Sequence, residues 1–319
     1  MLQNKIHNSS FIIHHSFPLL FLAILFGVAL VWSIPTLALS FKMPPKGDQV
    51  VGIPQTTEVQ DGEDLSDIAL RYGIGFYEVY ETNPGIDPDN PPANTQLIIP
   101  TQYILPPELK ENLILVNLAE MRLYFRPVGS NTVYIFPVGI GKVDWDTSTG
   151  LMHVIEKVDH PAWIIPDSLR KYRAMHGDNL PRVVPPGPEN PLGSYKLKLD
   201  SKDDIMIHGT NLPAGVGRRS SAGCIRLYEE DIKKLFHMVK VGTPVLIINQ
   251  PYKAGWKGDK LYLEAHVPLL EQRLEVPAGD MTLAIDAIDK AKTGHKVIID
   301  WQRAFRIANE HVGVPRPIN

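Results

Sequence analysis

Leu113-Ile114-Leu115-Val116-Asn117-Leu118-Ala119-Glu120-Met121-Arg122-Leu123-Tyr124-Phe125 holds two apolar runs, rich in β-branched and aromatic residues, around a short break at 117–120. Such a pair reads as a β-hairpin. Working outward, residues 132–138 form a third strand that stops at Gly139 and Gly141. Further short strands are broken by Pro161, Pro166, Pro181 and the run Pro185-Pro186-Gly187-Pro188. Residues 205–207 form a strand leading directly into His208, and Val245-Leu246-Ile247-Ile248 closes the series. One helix, 229–240, places Ile232, Leu235, Phe236 and Val239 on a single face and crowds acids into its first turn. Many short strands with few helices predict a mostly β domain over 110–250, a β-sandwich or barrel-like fold.

Both flanks differ from this pattern. Residues 55–101 read as a small strand–helix–helix–strand unit. In it, Leu65, Ile68, Ala69 and Tyr72 line one helical face, Gly73 closes the helix, and Gln96-Leu97-Ile98-Ile99-Pro100 is the last strand. Residues 41–54, with Pro44, Pro45, Gly47, Gly52 and Pro54, read as a linker. Residues 251–319 read as a partly helical extension, with apolar periodicity over 281–311. The first forty residues differ again, because 17–40 carry no charge and end in small residues near Ala38 and Ser40. That pattern fits a secretory signal peptide, or an anchor if it is not cleaved. Either way the remainder is expected to be exported.

The chain has 319 residues, 44% hydrophobic and 21% charged, with a formal net charge of −3. This balance supplies no electrostatic footprint for nucleic acid. There is one cysteine, Cys224, which excludes an internal disulfide and any paired-cysteine metal or redox site. A lone thiol is either buried and inert or kept for its chemistry. Its neighbours favour chemistry: Ile207-His208-Gly209-Thr210-Asn211 precedes Arg218-Arg219-Ser220-Ser221-Ala222-Gly223-Cys224-Ile225-Arg226. Cys224 reads as lying just before a helix, where unpaired N–H groups and three arginines would lower its pKa. His208 is a candidate base, and the turns at Gly209 and Gly223 let main-chain N–H groups approach a reacting carbonyl. The remaining histidines (His153, His160, His176, His237, His266, His295 and His311) lack metal-ligand spacing.

His208-Gly209-Thr210-Asn211 and Ser221-Ala222-Gly223-Cys224-Ile225-Arg226 resemble the signature of the L,D-transpeptidases with a YkuD-type catalytic domain. Asp61-Gly62-Glu63-Asp64-Leu65, Arg71-Tyr72-Gly73 and Asn83-Pro84 resemble a LysM module, a binder of N-acetylglucosamine-containing glycans. The resemblance implies a periplasmic or cell-envelope enzyme acting on peptidoglycan stem peptides and glycan strands, without metal or cofactor. Cys224 would attack the third residue of a stem tetrapeptide, His208 would move the proton, and the Gly223 and Cys224 N–H groups would hold the oxyanion. Arg226, Ser221 and Gly209 would meet substrate, D-alanine would leave, and a second stem would complete a 3→3 cross-link. The LysM module would raise local concentration on the wall by tethering. Water, a lipoprotein amine or a D-amino acid are alternative acceptors. An uncleaved segment 17–40 would anchor the protein in the inner membrane. Ala222 stands where the family often has histidine, which leaves a binding protein without turnover as a further alternative.

Overall fold

The computed structural model describes residues 39–319 except 276 and 278. The expected signal or anchor segment therefore lies, up to position 38, outside the described residues. No helix among those described is long and apolar enough to cross a membrane.

The catalytic region is mostly sheet, as the strand pattern predicts. Nine strands lie in the order Leu39–Lys42, Thr132–Pro137, Arg122–Phe125, Ile114–Asn117, Pro244–Ile248, Gly150–Asp159, Tyr195–Leu199, Met206–His208 and Ile225–Arg226. The hairpin pairs Ile114 with Phe125 and Asn117 with Arg122. Its two faces meet different cores. Ile114, Val116, Leu123 and Phe125 join Ile207, Ile225 and the helix residues Ile232 and Leu235. Leu115 and Tyr124 join Tyr103, Val133 and Ile135 on the opposite side. Burial on both faces explains why the hairpin reads as nearly continuous apolar runs rather than alternation.

The stretch expected as a linker is built into this fold. Leu39–Lys42 pairs along Thr132–Pro137 as the edge strand, and Val50–Gly52 pairs with Gln102–Ile104. Leu39 and Phe41 alternate with the more exposed Ser40 and Lys42, the period that a half-buried strand needs. Pro44, Pro45 and Gly47 mark the turn between the two strands, and Gly52 and Pro54 the end of the second.

The LysM module pairs Gln55–Glu58 with Gln96–Ile99 around helices Leu65–Tyr72 and Phe76–Thr82. Asp64 caps the first helix through a reciprocal bond with Asp67, and Gly73 ends it at φ 63°. Leu65 and Ile68 are fully buried, each contributing about 2 kcal/mol. The module is docked rather than tethered. The Phe76 and Tyr77 N–H groups donate to the Val216 and Gly217 carbonyls at 3.4 and 3.2 Å, and Tyr228 Oη donates to Ile74 O at 3.0 Å.

The C-terminal region contains the expected helices, Thr282–Lys292 and Trp301–Glu310. It also contains strands Tyr252–Lys257, Lys260–Ala265 and Arg316–Pro317, which together with the helices enclose a separate core. The two-residue Gly258-Asp259 turn, with Gly258 at φ 61°, is the hairpin signal available in the sequence.

A buried ion network joins all three parts. Arg122, wholly buried in the hairpin, pairs with Glu78 of the LysM helix at 2.9 Å, Glu120 at 3.3 Å and Glu264 of the C-terminal hairpin at 2.5 Å. Lys253 pairs with Glu120 at 2.9 Å and Glu264 at 3.3 Å, and His266 lies 2.9 Å from Glu264. Burial works against charge on His266, but hydrogen bonds to Glu264 and Glu81 carry its pKa above the ordinary value. The buried carboxylates Glu78, Glu120 and Glu264 are thus each paired with Arg122, Lys253 or both, the condition for tolerable burial of charge. Glu120, Glu264 and His266 also offer ligand-type atoms within 4.8 Å of one another. Arg122 and Lys253 already neutralise that set, which makes it a poor cradle for a divalent ion.

Candidate active site

A short parallel ladder runs the segment of the thiol alongside that of the imidazole. Ile207 pairs with Ile225 and His208 with Arg226. Ile207 and Ile225 are fully buried in the core face, so the alternation of a strand puts His208 and Arg226 together on the other face. Cys224 enters this ladder directly opposite Met206, whose main-chain amide hydrogen-bonds the sulfur. Cys224 is half-buried, while His208 is only 3% exposed.

The imidazole is fixed by its own turn. Nδ1 lies 2.6 Å from the Gly209 carbonyl, an acceptor only, so Nδ1 carries the proton, and the ring has a second backbone partner at Leu192. Burial, followed by the Arg226 charge, lowers the His208 pKa to about 3. The turn is clamped by Glu229, which accepts the Thr210 N–H at 2.7 Å and the Ser194 N–H at 2.9 Å. Any side chain at Gly193 or Gly209 would overlap the Glu229 carboxylate.

Several expectations change at this point. Helix Glu229–Met238 begins five residues after Cys224, beyond the strand Ile225–Arg226, so no helix terminus faces the thiol. Burial pushes the Cys224 pKa up, and the Met206 amide and Arg226 only partly oppose it. Of the three arginines, Arg226 alone acts on the sulfur. Arg219 is spent on Asp146 and Glu271, at 2.5 and 2.7 Å. Arg218 lies over the Phe76 ring, 3.2 Å from its centroid. Ser221, expected against substrate, uses its hydroxyl within the turn, donating to Cys224 O at 2.5 Å and accepting from Gly223 N at 3.2 Å. That bond occupies the Gly223 N–H expected at the oxyanion. The Cys224 N–H has no partner among the described residues. Gly209, also expected against substrate, is where Glu229 packs. His176 folds onto Tyr172, its Nδ1 2.8 Å from Tyr172 O.

Sequence reasoning missed Glu229 and Thr147. Thr147 Oγ1 accepts from Gly141 N at 3.0 Å and donates to Gly223 O at 2.9 Å, tying the Cys224 turn to the neighbouring loop. The run Asn190-Pro191-Leu192-Gly193 was the available signal for a tight approach near Glu229. Nothing in the sequence marks Thr147. Two cavities, of about 660 Å³ beside Thr57, Asp61 and Arg71 and about 620 Å³ beside Trp256 and Lys290, are not lined by Cys224.

The resting site therefore holds a neutral thiol and a neutral imidazole. Alkylation of Cys224 by iodoacetamide should rise with pH through a midpoint above the ordinary thiol value, about 8.5. A plateau reached below pH 7 would contradict this arrangement.

The comparisons identify the family. A profile of the L,D-transpeptidase catalytic domain matches residues 111–247, and one of the LysM domain matches residues 57–100. The Probable L,D-transpeptidase ErfK/SrfK of Salmonella typhimurium is 42% identical over 244 residues, 75% of this chain and 78% of that protein. The Probable L,D-transpeptidase YcfS of Escherichia coli is 39% identical over 252 residues, 77% and 78% of the two chains. Among solved structures, the L,D-transpeptidase from Mycobacterium smegmatis aligns with TM-score 0.35 and 17% identity over 46% of this chain and 61% of that one. With the thiol, the fixed imidazole and two relatives matched over most of their length, the chain belongs to the L,D-transpeptidase family and carries a LysM domain.

Proposed function

We propose that the protein is a peptidoglycan L,D-transpeptidase that forms 3→3 cross-links through a Cys224 thioester. The observation that supports this reading is the parallel ladder that runs the His208 strand beside the segment following Cys224, with the imidazole anchored at Nδ1. His208 Nε2 takes the thiol proton as Sγ attacks the carbonyl of the third stem residue. The Cys224 N–H stabilises the oxyanion, a donor worth about 3 kcal/mol. The tetrahedral adduct collapses, the carbon–nitrogen bond breaks, and His208 returns the proton to the departing D-alanine amine. The side-chain amine of a second stem then attacks the thioester, forming the new amide and restoring the thiol. The family and its LysM domain support peptidoglycan as partner, and the cell envelope as the place of action follows from that partner.

The test is mass spectrometry of residues 39–319 incubated with disaccharide-tetrapeptide, beside Cys224→Ala. Dimers lacking one D-alanine, absent with the variant, are the expected products. Tripeptide without dimers would assign water as acceptor. No product from either protein would leave a wall-binding protein, with Ala222 marking a site that does not turn over.

A further inference from the structure

We propose that the LysM module is a positioning element of the nucleophile turn, acting through Arg218 and the Val216–Gly217 main chain. Two grips bracket Cys224. Upstream, the Val216 and Gly217 carbonyls cap the second LysM helix by accepting its first two N–H groups, from Phe76 and Tyr77. Gly217, at φ +72°, packs so closely on Gly75 and Phe76 that a methyl group has no room. Arg218 follows, with its guanidinium on the Phe76 ring and Nη2 donating to Ser66 Oγ at 3.0 Å. Downstream, Tyr228 Oη reaches the Ile74 carbonyl of the same module.

Between these grips the chain has little freedom. Arg218 O accepts from Ile140 N at 3.0 Å, Arg219–Ser221 pairs in parallel with Ile140–Gly141, and Ser221 O accepts from Lys142 N at 3.0 Å. Ser221 Oγ then holds Cys224 itself. The residues linking the LysM contact to the sulfur are thus bonded in an unbroken series. Arg218 contributes through this series and not through its charge, because the groups that shift the thiol are burial, the Met206 amide, Arg226 and Asp204.

The inference rests on the proposed reaction only for one of its two readouts. In the full chain, Arg218→Ala should lower kcat for D-alanine release from a glycan-free tetrapeptide at least tenfold, with KM changed less than twofold. The glycan-free donor removes any contribution from wall binding. The pH midpoint for iodoacetamide alkylation of Cys224 should also shift by half a unit or more, a reading that needs no transpeptidase activity. Arg218→Lys, which can keep a cation over the Phe76 ring, should recover at least half of each loss. Phe76→Leu serves as a second variant if Arg218→Ala unfolds early, with thermal unfolding run beside both. Wild-type kcat and an unshifted alkylation midpoint in a folded variant would overturn the proposal. A shifted midpoint without D-alanine release from the wild type would keep it and reject the proposed reaction.

Discussion

Cys224→Ser is expected to lose acyl transfer by at least about a thousandfold while unfolding at the wild-type temperature. A hydroxyl holds its proton far more tightly than a thiol. The proposed base is weak, because burial and Arg226 lower the His208 pKa to about 3. Such an imidazole can share a thiol proton during attack but cannot draw one from serine. Turnover is read as D-alanine release and acylation as a mass increase on the intact protein. Either one retained near wild-type levels in the serine variant would sink the thiol mechanism.

Arg122→Met is expected to destabilise the protein by about 3–5 kcal/mol, the cost of leaving buried carboxylates without their partner. Glu120 and Glu264 would then keep only Lys253 and His266, and Glu78 would lose its one cationic partner among the described residues. Thermal unfolding at pH 7 should show a drop of roughly 10 °C. The pH dependence gives a second check. Glu264 is buried, but Lys253, His266 and Arg122 hold its carboxyl well below the usual range. A depressed carboxylate stabilises above its unfolded value, about 4.3, and that stability is lost as pH falls. The deficit of the variant should therefore be greatest near pH 7 and shrink below about pH 4. Equal unfolding temperatures for variant and wild type at pH 7 would show that the network contributes nothing.

The parts legible in the sequence were those encoded locally. The hairpin at 114–125, the Leu65–Tyr72 helix with its Asp64 cap, and the thiol–imidazole pair can each be read from neighbours in the chain. Leu39–Lys42 was not legible as an edge strand, because Leu39 and Ser40 continue the uncharged run before them. The turn after Cys224 was misread because a two-residue strand, Ile225–Arg226, is too short to show a period. Arg218, Arg122 and Glu229 were illegible for a different reason. Each takes its meaning from partners that folding brings from distant positions, such as Ser66 for Arg218 and Glu264 for Arg122.

The neutral resting pair also bears on how long the enzyme lasts. Oxidation to sulfenic acid and beyond follows thiolate character and exposure. A half-buried sulfur that keeps its proton offers peroxide little of either. With no second cysteine in the chain to reduce a damaged nucleophile, that reticence is the molecule's own protection against losing it.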